Sequence, residues 1–363
     1  METGEAIESV DTAGRRDALV ERLFASTLGA WDLLGVYLGD RLGLYRALAD
    51  RGPLTSAELA EATGTHERYA REWAEQQATA GILEVDGEGR FLLPAGHDEA
   101  LLDEGSLNYI APIAKLVVAC TEPLPQLLDA FRSGEGVPYA DYGANLHEGQ
   151  AAFTRPMFEQ LLGSEWLPSI PDVHERLQAD PPARVADVAC GAGHSSQAIA
   201  RAYPKVHVDG IDSDAASIDE ARRHLAGSDV TARVTFHHRD AADPQFAHRY
   251  DLVYVHESLH DMSFPVDVLR ACRGLLTEGG AVVVGDERVA DRFAPPGDEL
   301  ERFYYGFSLL HCLPVGMVGD GAAGTGAVMR VDTVRRYAEE AGFARFEVLP
   351  IENDFYRFYR LGG

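Results

Sequence analysis

The sequence predicts an α/β protein: a doubly wound, mostly parallel sheet over residues 183–363, preceded by an α-helical N-terminal half. Three observations carry this. Beyond residue 183, apolar runs of strand length alternate with helical patterns, as a parallel sheet covered on both faces requires. The first of those runs, Val185 to Ala189, leads into Gly191 and Gly193, which read as a tight turn and the start of a helix. Before residue 97 the apolar residues keep helical spacing, with turn residues at 64–65 and 86–87. With 363 residues, 46% of them apolar, the chain has material for more than one core.

In chain order, residues 1–15 are polar and expected to fray. From Asp17 to Ala49 apolar residues recur at helical spacing, Leu19, Leu23, Leu28, Trp31, Leu34 and Leu38 among them. A lone surface helix needs fewer, so part of this face is expected against another subunit. Thr55 or Ser56 caps a short helix through Ala62, and a second helix runs from His66 to Ala80, ended by Gly81. Residues 82–85 and 90–93, joined through Asp86-Gly87, read as a two-stranded wing. Helix-turn-helix plus wing resembles a winged-helix domain. Such a domain binds DNA or serves as a dimerisation platform. Glu67, Glu72 and Glu75 on the second helix face phosphate with the wrong sign, which favours dimerisation.

Residues 98–175 read as helices and loops. The loop 134–143 carries Tyr139 and Tyr142, and a helix over Phe153–Trp166 carries Met157, Phe158, Leu161 and Leu162 on one side. These pieces form either a lid or simple connecting helices. Ala179-Asp-Pro-Pro-Ala183 is a linker, so the expected division is 1–97, 98–182 and 183–363. Strands are expected at 184–189, 206–211, 232–237, 251–256 and 280–286, with helices at 195–203, 215–226, 265–276 and 331–341.

Acids stand at the ends of three successive strands. Asp187 lies inside the strand before the glycine turn. A carboxylate there repels a pyrophosphate and attracts a ligand with an ammonium group, such as S-adenosylmethionine. Asp212 ends the second strand, about the ~20 residues beyond Gly191 at which a second-strand carboxylate grips ribose hydroxyls. Asp240 follows the third strand, placed to accept from an adenine amino group. These residues resemble the motifs of class I S-adenosylmethionine-dependent methyltransferases, whose first motif is acid-x-Gly-x-Gly-x-Gly. The chain departs from it at Ala189. The resemblance covers roughly 183–363. It implies a Rossmann-like seven-stranded sheet whose end strand is antiparallel, the last two strands falling near 344–350 and 354–361. It also implies S-adenosylmethionine as cofactor, with Asp187 on the methionine amino group, Gly191 and Gly193 in the turn, and Asp212 with Ser213 on the ribose. Asp240 with Ala241 would take the adenine, and His256 would lie beside the cofactor through its backbone. The winged-helix region extends the resemblance to bacterial and plant small-molecule O-methyltransferases, in which that domain dimerises.

A sulfonium methyl is already electrophilic, so the protein has mainly to place a nucleophile and exclude water, with a base when the nucleophile is a hydroxyl. The segment after the fourth strand, Val255-His-Glu-Ser-Leu-His260-Asp261-Met262, puts two histidines and two acids at the edge where a base belongs. His260-Asp261 resembles the His-Asp pair of winged-helix O-methyltransferases, whose histidine is the base; Met262 stands where that family commonly has Trp. Glu287, just past the fifth strand, is a candidate partner for His260. The alternative is a His260 that caps the following helix. Residues 288–330, rich in aromatic side chains such as Phe303, Tyr304, Phe307 and His311, are substrate territory by position. Gly321–Gly326 reads as a flexible turn without the Lys-Ser/Thr of a phosphate loop.

Net charge of -26 argues against nucleic acid and anionic membrane as partners. No apolar run approaches a membrane span, and no metal-type Cys or His spacing occurs, so no metal is expected. Four scattered cysteines and an acidic N terminus point to a cytoplasmic protein. The expected activity is methyl transfer to a small, aromatic or apolar molecule by a homodimer, favoured as O-methylation with His260 as base. Rivals are N- or C-methylation or non-methylating use of the cofactor on the same fold, a cofactor-sensing transcriptional regulator, and a non-catalytic interaction protein.

Overall fold

The computed structural model describes the backbone of residues 2–363 and the side chains of residues 12–363 other than Pro244. The chain forms two compact units, Met1–Val118 and Ala119–Gly363. The helices expected as a separate connecting region, 98–182, are divided between them.

In the first unit a long helix α1 (Glu2–Arg41) is broken from α2 (Leu44–Arg51) at Gly43, whose φ of 69° lies in the left-handed region. Residues 12–15, expected to fray, belong to α1; the remainder of that expectation lies outside the described side chains. Thr55 caps α3 (Ser56–Thr63) in a reciprocal box with Glu58, and α4 (Glu67–Thr79) follows, capped by His66. Two short antiparallel strands, β1 (Glu84–Val85) and β2 (Phe91–Leu92), make the wing, and Leu54 bridges to Phe91. Helices α5 (His97–Leu102) and α6 (Pro112–Thr121) close the unit. Its core is built around Tyr45, Leu48, Leu59 and Trp73. The Tyr45 and Trp73 rings meet edge-on at 5.1 Å, and the Trp73 indole N–H donates to the Gly35 carbonyl on α1 at 2.8 Å. Leu19, Leu23, Phe24, Leu28, Trp31 and Leu38 leave a row of large apolar side chains exposed along α1.

The second unit opens with α7 (Leu124–Ser133), a 3₁₀ turn over Tyr139–Tyr142, and α8 (Gly143–Met157). Pro156 removes a donor from α8, and the helix continues as a wider π-type stretch, Phe158–Trp166, before α9 (Pro171–Gln178). The sheet follows: β3 (Arg184–Val188), α10 (His194–Ala202), β4 (His207–Asp212), α11 (Ala215–Leu225), β5 (Val234–His238) and β6 (Tyr250–His256). It continues with α12 (Pro265–Leu275), β7 (Leu276–Glu287), α13 (Glu299–Phe307), α14 (Leu313–Gly316), α15 (Val331–Glu340), β8 (Arg345–Val348) and β9 (Tyr356–Gly362). The seven strands lie in the order β5-β4-β3-β6-β7-β9-β8. The antiparallel strand is the last in sequence but sits inside the sheet: β9 pairs antiparallel with both β7 and β8, leaving β8 at the edge.

Alternation along the strands supplies two cores. Val185, Val208, Phe236 and Leu252 face α9, α10 and the π-type stretch, together with Leu162, Trp166 and Leu177. Ala186, Ile211, Val253 and Val282 face α12 and α15, together with Leu269, Val334 and Tyr337. Strand order reverses beside β3, so a crevice opens at the carboxyl ends of β3, β4, β6 and β7.

Candidate active site

The crevice holds a cavity of about 560 Å3. One wall starts at Asp187, buried in β3. The Asp187 carboxylate accepts from the Ser195 hydroxyl at 2.6 Å and from the Ser196 hydroxyl, both in the first turn of α10. Burial outweighs those bonds and raises the Asp187 carboxyl to about 6. Asp212, at the end of β4, accepts from the Gly191 N–H at 2.9 Å and from the Asp214 N–H at 2.8 Å; burial raises its carboxyl too. Gly191 lines the cavity at φ 50°, with nothing within 4 Å of where a Cβ would stand. Gly193 does not line it. Gly193 sits at φ 77°, where a Cβ would run into the Phe236 ring, so its role is close packing of the α10 start on β5. Ala189, the departure from the motif, carries φ 58° without being glycine, and its N–H donates to the Ile211 carbonyl at 2.8 Å.

Ser213 and His256 also reach the cavity. The His256 ring is buried beneath Trp166, 5.3 Å away and nearly parallel, with Nδ1 2.9 Å from the Tyr254 hydroxyl. Burial holds it down at about 3, so it is neutral. The structure does not bring Asp240 and Ala241 to the cavity. Asp240 is exposed and accepts from the Ala242 N–H, and Ala241 packs into the core beneath α12. In their place the 3₁₀ turn and α8 supply Tyr139, His147, Gln150 and Thr154.

The other wall carries His260 and Asp261, with Glu287 from the end of β7. His260 is not a helix cap, since α12 begins at Pro265 with Phe264 before it. Its Nδ1 lies 2.9 Å from Asp286 Oδ1 and 2.8 Å from Glu287 Oε2. A single N–H serves one acceptor well, and the Asp286 bond has the better geometry; Glu287 Oε2 has no hydrogen-bond partner of its own. Burial alone would depress the His260 ring, but the two carboxylates outweigh it and hold the imidazole well above its ordinary value. Asp286 is held low despite burial, because His260 faces it, while burial drives Glu287 well above the carboxylate range. The trio therefore pairs a strongly basic imidazole with an Asp286 held low and a Glu287 whose carboxyl burial pushes up. Asp261 is raised to about 6 by burial, with Asp286 and Asp212 adding to it. His260, Asp286 and Glu287 also offer ligand atoms within 4.8 Å of one another, so a cation is the alternative occupant of the place the Nδ1 proton takes.

Of the aromatic segment beyond β7, Phe307, His311, Cys312 and Val315 line the cavity. Phe303, Tyr305 and Leu309 are exposed, and Tyr304 is buried with its hydroxyl on the Phe355 carbonyl. Gly321–Gly326 is not loose: the Ala323 N–H donates to the Ser263 carbonyl at 2.8 Å and the Gly326 N–H to the His260 carbonyl at 3.0 Å. That segment pins the loop that carries His260. Asp286 was the site residue that sequence reasoning missed, although it stands next to Glu287.

Residues 179–341 match the profile of a methyltransferase domain, and residues 31–103 match an Rv2258c-like winged HTH domain. The chain is 27% identical over 369 residues to the 3-amino-4-hydroxybenzoate 4-O-methyltransferase of Streptomyces cremeus, spanning 94% of this chain and 89% of that one. It is 37% identical over 103 residues to the ubiquinone biosynthesis O-methyltransferase of Marinobacter nauticus, a match that spans 28% of this chain and only 42% of that protein. The human N-acetylserotonin methyltransferase, solved with S-adenosylmethionine, superposes with a TM-score of 0.64 at 17% identity, covering 95% of this chain and 98% of the other. The chain thus carries a methyltransferase domain behind an N-terminal winged HTH domain, on the fold of the class I S-adenosylmethionine-dependent methyltransferases.

The cavity suits that cofactor. Two buried carboxyls, Asp187 and Asp212, are raised by burial, and the open side of Gly191 lets a ligand approach the backbone. Among the described residues, no helix is long and apolar enough to cross a membrane, and all four cysteines are buried and unpaired.

Proposed function

We propose that the protein transfers a methyl group to a hydroxyl of a small aromatic or apolar molecule, with His260 as general base. The observation that carries this is the His260 Nδ1–Asp286 bond of 2.9 Å beside a cavity whose opposite wall holds Asp187 and Asp212. Asp187, Gly191, Asp212 and Ser213 would hold the cofactor, which when bound supplies an electrophilic methyl on its sulfonium. Asp286 fixes the His260 tautomer through Nδ1 and leaves Nε2 to take the hydroxyl proton of the acceptor. Glu287 backs Asp286, and Asp261 borders the acceptor. Phe307, Met262, Phe264 and Val315 exclude water from the reacting centre. About 560 Å3 has to take both cofactor and acceptor, so the acceptor is small.

The exposed apolar row on α1 supports a homodimer formed through the first unit. DNA binding has little support: on α4, Arg71 is paired with Glu67 at 2.6 Å and Arg68 with Glu72. A cytoplasmic location is consistent with four unpaired thiols.

The test is a methyl-transfer assay on a panel of hydroxylated aromatics, read by mass spectrometry, with His260→Ala alongside. Loss of turnover by a factor of about 10²–10⁴ at unchanged cofactor affinity is expected. A variant that turns over normally, or methyl found on nitrogen or carbon, would overturn the assignment.

A further inference from the structure

The cavity has a one-sided charge. Around the cofactor stand Asp187, Asp212, Asp214 and Glu220, and around His260 stand Glu257, Asp261 and Glu287. Among the described residues no lysine or arginine lines it. The strongly basic group in the lining, His260, is already paired with Asp286 and Glu287, so a carboxylate or phosphate on the acceptor would find no free cation and would enter a field of like charge. The acids on the His260 side exceed what the base needs, since Asp286, behind His260, already holds Nδ1. Glu257 accepts from the Tyr356 hydroxyl at 3.1 Å, Asp261 borders the open space, and Glu287 Oε2 is buried without a hydrogen-bond partner.

The aromatic walls point the same way. Phe307 stacks on His311 at 5.1 Å, and Tyr139 meets His311 edge-on at 5.8 Å. His311 Nε2, like His256 Nε2 and Ser258 Oγ, is a further buried polar atom without a partner in the cavity lining. Burial, with His260 nearby, keeps the His311 ring at about 3, so it is neutral and presents no positive charge to a ligand. Aromatic faces combined with carboxyls are the recognition chemistry of an organic cation.

We propose that the acceptor substrate carries a protonated basic nitrogen in addition to its reacting hydroxyl, held between Tyr139, Phe307 and the carboxyls of Asp261 and Glu287, and that carboxylate-bearing acceptors are excluded. This rests on the reading of the cavity as a methyl-transfer site.

The test uses the whole protein saturated with S-adenosylhomocysteine and three probes that share one catechol ring: dopamine, 3,4-dihydroxyphenylethanol and 3,4-dihydroxyphenylacetate. Calorimetric titration should show the amine binding at least about tenfold tighter than the alcohol, roughly 1.4 kcal/mol, and the acid weakest. Asp261→Asn should narrow the gap between amine and acid while leaving S-adenosylhomocysteine affinity within about twofold. Equal affinities, a preference for the acid, or no binding by any of the three to the loaded protein overturns the proposal. Failure to bind S-adenosylhomocysteine would strike the reading of the site itself, and the proposal with it.

Discussion

Replacing each glycine of the Gly191-Ala-Gly193 turn by alanine should produce two different defects. At Gly193 the φ of 77° costs an L-residue about 1–2 kcal/mol, of which up to about 1 kcal/mol is returned by the stiffer unfolded chain. The added methyl would also collide with the Phe236 ring and touch Ala221, both core residues with no room to retreat, at a cost of about 1–3 kcal/mol. Gly193→Ala should therefore lose about 2–4 kcal/mol of stability. At Gly191 the backbone term is similar, but nothing lies within 4 Å of the new methyl, so the net loss is about 0–2 kcal/mol. That methyl would instead occupy space over the turn, and S-adenosylmethionine affinity should fall by more than about tenfold. Denaturant unfolding and calorimetric titration of both variants separate the two effects. A Gly193→Ala protein as stable as wild type, or a Gly191→Ala protein that binds the cofactor normally, would refute the division of labour drawn between the two glycines.

Asp212→Ala should weaken cofactor binding by more than about tenfold in the same titration. For Asp187 the sign runs with its raised carboxyl: the ionised form that holds an ammonium is lost as pH falls through about 6, so cofactor affinity should drop between pH 7 and pH 5. Because His260 is held above its ordinary value of about 6.5, its basic form appears only as pH rises through that higher value. The acid limb of kcat/KM should lie above pH ~6.5 and move down in Asp286→Asn with a fall in kcat; a wild-type limb below pH ~6.5, or one that Asp286→Asn leaves in place, would contradict the pairing. Leu23→Glu with Phe24→Glu should convert a dimer to a monomer by light scattering, at little cost to the folded unit, since both side chains are exposed.

Strand and helix positions were legible because burial on both faces leaves uninterrupted apolar runs, as in Val253 to Val255 and Val282 to Val284. Asp187 and Asp212 were legible for the same reason: an acid at the end of such a run is anomalous unless something uses it. Asp240 was not distinguishable from them in sequence, yet its side chain is exposed and its carboxyl closes a local turn on the Ala242 N–H. The expected strand 280–286 missed the start of β7, Leu276–Glu287, because the pairing with β6 is interrupted by a bulge across residues 277–280. The contributions of Tyr139, His147 and His311 depend on contacts across long separations that no local pattern encodes. Ala189 read as a weakness in the motif, but the structure keeps the glycine-like conformation there and accepts the strain.

The placement of β9 has a consequence for how the protein matures. Glu287 is paired with Tyr356, Asp286 with Arg357 and Gly285 with Phe358. The strand that presents the two acids to His260 thus acquires its second neighbour only from residues synthesised long after it. Until Tyr356–Gly362 inserts between β7 and β8, the strand carrying the acids is held on one side only, by β6. A chain that stops short of Tyr356 would contain every residue of the cavity lining and still leave the edge of β7 beside Asp286 and Glu287 unpaired.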